Sequence, residues 1–168
     1  MRISLWSYED SPIGPLGLAT DEDGVVIGCS FEGAGPLAPV MRRVWPGAEI
    51  AAGPPAEAVV EALDAFFGGA RDALERVAWR VPGEDFQPRV WRALAEIPAG
   101  VTISYGEMAR RAGEPGAAQA AGVALNRNPI PLILPCHRVV GHDGAMVGFG
   151  GGVERKSWLL AHEGALLL

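Results

Sequence analysis

The sequence contains little cysteine, histidine or lysine. Of its 168 residues two are cysteine and three are histidine, and Lys156 is the one lysine beside 13 arginines. Two cysteines do not make the disulfide framework of a small secreted protein, so Cys29 and Cys136 are expected to be thiols in a reducing compartment. Zinc is not favoured, because the adjacent Cys136 and His137 lack the spacing of metal ligands. We therefore predict neither a metal nor a cofactor.

Long hydrophobic runs are also missing. The longest aliphatic runs are short, for example "LIL" at 132–134, whereas a membrane span needs about 20 apolar residues. The first residues show no basic-then-apolar leader. With 49% apolar and 20% charged residues the chain is globular, and we expect it in the cytoplasm of a bacterium with no membrane partner. Its length suits one domain or two small lobes.

The net charge is −6, which by itself argues against nucleic acid as a partner. The charge is unevenly distributed, however. Residues 1–85 carry 14 acidic and 6 basic side chains, a net charge of −8, and residues 86–168 carry 6 acidic and 8 basic side chains, a net charge of +2. If either part of the chain contacts phosphates, it is the second.

The first part of the chain, residues 1–85, reads as a small α/β lobe. Its alternating apolar and turn residues predict short strands. Two predicted helices follow, and the second of them ends at Gly68 and Gly69. The predicted strands are 2–8, 17–20 and 25–31, and the predicted helices are 38–45 and 56–69. With no histidine and with Cys29 in an apolar strand, the lobe is predicted to be a scaffold without chemistry.

The second part, residues 86–168, begins with a predicted helix over Phe86–Ile97. Ser104 and Glu107 form the S-x-x-E pattern of a capping box, and Gly113 is placed to end the helix that follows. A second helix is predicted over 117–128 after a four-residue turn. The pair has the proportions of a helix-turn-helix, a geometry that leaves DNA contact open by itself.

The second helix of this pair offers methyl groups and one amide to a ligand. Its predicted exposed positions are Ala117, Ala118, Gln119, Ala120 and Ala121. A helix that reads the major groove usually carries Arg, Asn or Gln against base edges. A smooth, narrow face of this kind suits the minor groove. Any DNA contact is therefore expected to be independent of sequence.

Cys136 and His137 lie side by side in "PCHRVVG", inside an apolar run. A lone cysteine in such a run is commonly a buried, inert residue, and that alternative stays open. A thiol becomes a nucleophile when a neighbour lowers its pKa, and His137 is that neighbour in sequence. In an extended segment the two side chains point apart, so a bridging water or a turn at Pro135 is needed. Glu163 is the candidate that orients the imidazole.

Three motifs together carry a family resemblance. They are "FQPRVWRALAEIPAGVTISYGEMARRAG", "NRNPIPLILPCHRVVG" and "GFGGGVERKSWLLAHEG", which span about 80 residues. The chain resembles the O6-alkylguanine-DNA alkyltransferases, the methylated-DNA–protein-cysteine S-methyltransferases. The N-terminal part is similar to their variable lobe more loosely, in "SPIGPLGLA" and "FFGG".

The resemblance implies an α/β fold in two domains. Residues 1–85 would form a scaffold lobe, a ribonuclease-H-like short antiparallel sheet with helices. Residues 86–168 would form the mainly helical DNA-binding and alkyl-acceptor domain with a winged-helix-like helix-turn-helix.

The implied activity is DNA repair by a suicide enzyme. An alkyl group, such as methyl, moves irreversibly from O6 of a flipped guanine to the protein's own cysteine, with O4 of thymine as a further candidate position. The expected partner is double-stranded DNA containing O6-alkylguanine, bound by a monomer, and cooperative binding on DNA stays open.

The resemblance also assigns residues. The catalytic set would be Cys136 as acceptor, His137 as water-linked base, Glu163 as orienting group, Asn128 as hinge and Tyr105 as the hydroxyl that meets the base. The substrate pocket would include Leu125, Val139, Phe149, Gly150 and Lys156. DNA contacts are predicted at Ser104, Ala117, Ala118, Gln119, Arg127 and Arg138.

Two departures from the family pattern stand out. Gln119 occupies the place where the family usually has an arginine that fills the stack after base extrusion, and glutamine should stabilise the extruded state less. The lobe has one thiol and no histidine, so the zinc site of some members is not expected. Two alternative functions remain, an alkyl-transferring or thiol enzyme acting on a non-DNA compound and a lesion-sensing DNA-binding protein, the latter disfavoured by the presence of Cys136.

Overall fold

The computed structural model describes residues 1–141 and 152–165. Their contacts group into two compact units. The first unit comprises residues 1–82 and 129–133, and the second comprises residues 83–128 together with the described residues from 134 onward. None of the described helices is long and apolar enough to cross a membrane.

The first unit begins with strands and has its last strand between two helices, whereas helices dominate the second unit. The strands are β1 (Arg2–Tyr8), β2 (Leu16–Thr20), β3 (Val26–Ser30), β4 (Glu49–Ala52), β5 (Ile103–Ser104) and β6 (Val139–Val140). The α-helices are α1 (Leu37–Val44), α2 (Glu57–Phe67), α3 (Phe86–Leu94), α4 (Tyr105–Arg111), α5 (Ala118–Asn126) and α6 (Val153–His162). Two 3₁₀ turns cover Ala73–Arg76 and Cys136–Arg138.

The first unit contains a four-stranded sheet in the order β3-β2-β1-β4. The pairs β1–β2 and β2–β3 are antiparallel as predicted, whereas β1 pairs with β4 in parallel. The sequence did not predict β4, because its residues Glu49–Ala52 are mostly exposed and show no apolar alternation. The mixed α/β class is nonetheless confirmed.

Helix α1 packs closely on this sheet. A Cβ added at Gly28 of β3 would lie 2.7 Å from Cε of Met41, so glycine is what lets the helix approach the strand. The buried cluster that joins helix and sheet consists of Ile3, Ala19, Ile27, Leu37 and Met41. All five side chains are apolar, so the contact between helix and sheet is a hydrophobic core.

The second unit is built around helix α3, which buries Val90, Trp91 and Leu94 on one face. The predicted helix extended to Ile97, but α3 ends at Leu94 because the next residues switch to i→i−3 hydrogen bonds, including Ile97 N–H to the Leu94 carbonyl at 3.1 Å. The Trp91 indole N–H donates to the Ala124 carbonyl at 2.7 Å and so fixes α3 against α5.

Helix α4 begins and ends with the predicted signals. The Ser104 hydroxyl accepts from the Glu107 N–H at 3.1 Å, as an N-cap should. The reciprocal half of a capping box would turn the Glu107 carboxylate back to Ser104, but that carboxylate pairs with Arg110 and Arg111. Gly113, with a φ of 91°, closes the helix through its N–H to the Arg110 carbonyl.

Helix α5 follows α4 after residues 112–117. It buries Ala124, Leu125 and also Ala121, so the predicted exposure of Ala121 is wrong. Its opposite side exposes Gln119 and Val123, the latter with 49% of its surface accessible. The two consecutive short helices match the predicted pair. Within the described part of the second unit, the side of α5 that carries Gln119 and Val123 is not covered by other residues.

Candidate active site

Cys136, His137 and Arg138 form a single 3₁₀ turn that begins after Pro135. Their exposed fractions are 7%, 0% and 6%. Two backbone hydrogen bonds shape the turn, from the Cys136 N–H to the Leu134 carbonyl and from the Arg138 N–H to the Pro135 carbonyl. The segment is therefore not extended here, and the turn at Pro135 that the sequence allowed is present.

The turn brings His137 onto Glu163, 26 residues away. The imidazole Nε2 lies 3.0 Å from Glu163 Oε1, and both side chains are fully buried. Glu163 is the C-cap residue of α6, and Gly164, with a φ of 80°, closes that helix as predicted. Because helix α6 ends at this point, the backbone of Glu163 is fixed there. The end of the helix therefore positions the Glu163 carboxylate.

The Glu163 carboxylate is an anion that only accepts hydrogen bonds. Burial alone would raise its pKa, but the hydrogen bonds and charges of His137 and Arg138 outweigh burial and lower the pKa to about 2. Nε2 of His137 must therefore carry the hydrogen. The other ring nitrogen, Nδ1, is buried and has no hydrogen-bond partner within residues 1–141 and 152–165. The basic lone pair of the imidazole is thus on Nδ1.

The prediction that Arg138 contacts DNA does not agree with the structure. Its Nε donates to Glu163 Oε1 at 3.0 Å, its Nη2 donates to Glu163 Oε2 at 2.6 Å, and its Nη1 donates to the Ile97 carbonyl. A buried guanidinium held at three nitrogens is not available to a phosphate. The carbonyl of Ile97 is a member of this arrangement that sequence reasoning missed, and no local signal indicates it.

The Cys136 thiol is less acidic than its neighbours in sequence suggested. Burial raises its pKa to about 11, against opposing contributions from an Asn128 side-chain hydrogen bond and the Lys156 charge. Burial in turn lowers the pKa of His137, against the pull of Glu163. At neutral pH the resting site therefore holds a neutral thiol and a neutral imidazole, and a thiolate forms only if a base takes its proton.

Asn128 lies two residues after the end of α5 and hydrogen-bonds to the segment that carries the Cys136 thiol. Its Nδ2 donates to the Leu134 carbonyl at 2.9 Å, and its side chain also hydrogen-bonds to Cys136. The predicted hinge asparagine therefore contacts both the backbone before the turn and the candidate nucleophile. An amide can do both because it carries two N–H donors and one acceptor.

Tyr105 is the first residue of α4 and is half-buried. Burial raises the pKa of its hydroxyl, and the nearby Cys136 contributes in the same direction. The ring also faces Gly122 of α5, where an added Cβ would stand 3.8 Å from two ring carbons. The structure thus brings this predicted residue within electrostatic range of the thiol.

The other predicted residues fall into three groups. Val139 and Leu125, from the predicted pocket, are buried in the second unit, and Phe149 and Gly150 lie outside the described residues. Gln119 and Arg127 are exposed, as surface contacts require, and Ala117 and Ala118 are half-exposed. The half-buried Ser104 uses its hydroxyl as the helix cap.

Lys156 is buried, with 1% of its surface exposed, and its Nζ donates to the Val139 carbonyl at 2.7 Å. Burial lowers its pKa, and the nearby Cys136 opposes that shift. A cation in this place stabilises the thiolate form of Cys136 more than the thiol.

Replacing Lys156 by Met should therefore raise the pKa of Cys136 further above its value of about 11. We expect the alkylation of Cys136 by iodoacetamide at pH 9 to slow about three- to tenfold. Mass spectrometry of the Cys136 peptide over time measures this rate, in a Cys29→Ser background that leaves one thiol. An unchanged rate would show that the lysine charge does not reach the sulfur.

No group of three or more Cys, His, Asp or Glu side chains within the described ranges is arranged to hold a metal ion. Apart from Nδ1 of His137, the polar side chains that meet near Cys136 bind one another and backbone carbonyls. The fold and this arrangement define the class of small α/β proteins with a buried thiol beside a His–Glu pair.

Comparison with known proteins gives the family. The family model described as 6-O-methylguanine DNA methyltransferase, DNA binding domain, matches residues 85–165. The chain is 44% identical over 157 residues to the methylated-DNA–protein-cysteine methyltransferase of Mycobacterium bovis, covering 92% of this chain and 88% of that protein. The chain belongs to the methylated-DNA–protein-cysteine methyltransferase family.

Two further matches add detail. The relative of the same name in Shigella flexneri is 46% identical over 106 residues, which cover 63% of this chain and 62% of the length of that relative. The solved structure of Mycobacterium tuberculosis OGT in complex with DNA is 38% identical, with a TM-score of 0.76 over 98% of this chain and 94% of that one. The fold of the whole chain is therefore that of this family, including the N-terminal part that the sequence related to it only loosely.

Proposed function

We propose that this protein repairs DNA by moving an alkyl group, such as methyl, from O6 of guanine to its own Cys136. The observation that carries the proposal is the buried turn in which Cys136 adjoins an imidazole held by Glu163 through a 3.0 Å hydrogen bond. A thiol, a base and a group that orients the base are the parts that nucleophilic thiol chemistry needs. The relatives' name and the DNA complex of the mycobacterial structure support the same reaction.

The first step is the removal of the thiol proton. Nδ1 of His137 is the basic nitrogen, and because it has no hydrogen-bond partner among the described residues, the proton passes to it from Cys136 through a bridging water. Glu163 stabilises the imidazolium that results. Lys156 and the Asn128 side chain stabilise the thiolate.

The second step is displacement at the alkyl carbon. The thiolate attacks this carbon, a carbon–sulfur bond forms, and the bond between the carbon and guanine O6 breaks. The electron pair of the broken bond stays with the guanine, which takes up a proton from the Tyr105 hydroxyl as it leaves. The Tyr105 phenolate then regains a proton from solvent, and the His137 imidazolium returns its proton to solvent. The thioether has no route back to a thiol, so each molecule acts once.

DNA is bound by residues 86–168, the DNA-binding and alkyl-acceptor domain of our proposal, with residues 1–85 as its scaffold lobe. The exposed side of α5, with Gln119 and Val123, is small and largely uncharged and suits the minor groove. Arg127, exposed one residue beyond α5, is a phosphate contact. Binding should be modest and salt-sensitive, because this domain has a net charge of only +2.

The protein works in the bacterial cytosol as a monomer, in our proposal. A duplex that carries one lesion needs one acceptor thiol, and the second cysteine, Cys29, is buried in β3 of the first unit. Sedimentation of the protein with short duplexes of increasing length would reveal cooperative binding as more than one chain on each duplex.

Gln119 should limit base extrusion. It is exposed on the first turn of α5, and its uncharged amide is a weaker filler of the vacated stack than an arginine. We expect Gln119→Arg to tighten binding to duplex and to speed repair of O6-methylguanine in duplex, about threefold to tenfold, more than in single-stranded DNA. Single-turnover rates on the two substrates measure this, and equal acceleration on both would show that Gln119 has another role.

The proposal is tested by following a radiolabelled methyl group from O6-methylguanine duplex to protein. Label on the protein should rise to one methyl per chain and stop there, whatever the excess of DNA. Multiple turnovers on free O6-methylguanine with no response to DNA would replace the proposal by an enzyme of small compounds. Tight binding to the lesion with no transfer would replace it by a lesion sensor.

A further inference from the structure

Arg138 binds the carboxylate of Glu163, which in turn binds the imidazole of His137. The proposed function uses Cys136, His137 and Glu163, and gives Arg138 no part in the reaction. We propose that Arg138 is a positioning residue of the alkyl-transfer site, whose guanidinium keeps Glu163 an oriented anion and so keeps the His137 hydrogen on Nε2 and the basic lone pair on Nδ1. This inference rests on the proposed function.

The guanidinium of Arg138 is held in a fixed orientation against Glu163. Its Nε and Nη2 reach the two oxygens of Glu163 at 3.0 and 2.6 Å, the two-pronged arrangement in which a planar guanidinium matches a carboxylate. Its Nη1 is fixed by the Ile97 carbonyl. The carboxylate plane is thereby set from behind, with Oε1 directed at His137 Nε2.

The charges around His137 also support a positioning role for Arg138. Among the described residues, the charged groups that act on His137 are Glu163, Arg138 and Lys156. Because Arg138 already neutralises Glu163, a protonated His137 would be one more cation around a single buried carboxylate. Burial lowers the pKa of His137 most, and the Arg138 charge acts in the same direction, so the imidazole is kept neutral and able to accept a proton. Without Arg138, the His137–Glu163 pair would take up a proton at a higher pH to balance its charge, and the base would be lost at neutral pH.

The test is the pH profile of single-turnover methyl transfer by Arg138→Met. We expect its acid limb to move to higher pH, so that at pH 6 its rate falls about tenfold further below its own plateau than the wild-type rate does. Arg89→Met is the matched control, since Arg89 forms an exposed ion pair with Glu114 away from Cys136, and its profile should be that of the wild type.

A second readout needs no DNA. In NMR spectra of the isolated protein, the ring signals of His137 should report proton uptake at higher pH in Arg138→Met than in the wild type. A purely structural role of Arg138 would change the yield of folded protein without moving this titration.

Two further variants keep the proposal testable if Arg138→Met does not fold. Arg138→Lys keeps the charge and loses the two-pronged contact, so it should move the acid limb in the same direction but less. Adding Glu163→Gln to either variant should remove the shift, because no carboxylate is then left to stabilise a protonated His137.

An acid limb that stays at its wild-type position in the folded Arg138 variants would overturn the inference, and so would a shift that persists after Glu163→Gln. Neither result touches the proposed function, provided that the wild type transfers the methyl group. A wild type that transfers none would instead remove the proposed function itself, whatever the NMR titration shows.

Discussion

At pH 7, His137→Gln should transfer the methyl group about 10²- to 10⁴-fold more slowly than the wild-type chain. The reason is the burial of the thiol. With the pKa of Cys136 raised to about 11, only roughly one molecule in 10⁴ holds a thiolate at pH 7 unless a base takes the proton during the reaction. We propose His137 as that base, since its Nδ1 has no hydrogen-bond partner among the described residues.

The pH dependence of His137→Gln identifies the cause of its slow transfer. Without the base, the rate should follow the thiolate population and rise about tenfold per pH unit from pH 7 to 10. The wild-type rate should be nearly independent of pH over this range, because burial lowers the pKa of His137 and leaves it neutral.

Rapid-quench measurements on excess protein give both profiles. His162→Gln is the matched control, since His162 stacks on Trp158 in α6 and has no role in the proposed reaction. A His137→Gln rate at pH 7 within a few fold of the wild type would show that the thiolate forms without the imidazole.

Glu163→Gln should lower the free energy of unfolding by about 3–5 kcal/mol. The carboxylate accepts two hydrogen bonds from Arg138 and one from His137, all buried, so its loss leaves a buried guanidinium without its counterion. Urea unfolding at neutral pH measures the change. Glu154→Gln, on an exposed position of the same helix, is the control and should alter stability by less than about 0.5 kcal/mol.

The same carboxylate gives a pH signature in stability. Its pKa is about 2 in the folded chain against an ordinary value of 4.5. A lowered pKa means that the stabilisation is complete above pH 4.5 and is lost as the pH falls from 4.5 through 2. The stability difference between the wild type and Glu163→Gln should therefore narrow over that interval. A difference that stays constant down to pH 2 would contradict the ionised state of Glu163.

Local sequence signals predicted much of the chain correctly. The apolar stripe of α3, the Ser104 cap and the Gly113 and Gly164 stops all act within one or two helical turns, a distance over which sequence neighbours are also spatial neighbours. The pairing of His137 with Glu163 was proposed from the chemistry that a base needs and agreed with the family resemblance, since no local pattern links residues 26 positions apart.

The errors come from long-range contacts. An arginine beside a nucleophile is expected to reach solvent, and only the return of α6 shows that Arg138 is buried against Glu163, 25 residues away. The acidity of Cys136 was also misjudged, since the apolar run indicates burial but not that burial outweighs the charged neighbours. Strand β4 was missed because it lies at the edge of the sheet with mostly exposed side chains.

The most direct measurement of the central claim is peptide mass spectrometry after incubation of excess protein with a duplex that contains one O6-methylguanine. The account predicts that the peptide with Cys136 gains the mass of one methyl group, that the peptide with Cys29 gains none, and that the DNA holds an unmodified guanine. A repaired duplex with an unaltered Cys136 peptide, or a duplex that stays methylated, would contradict it.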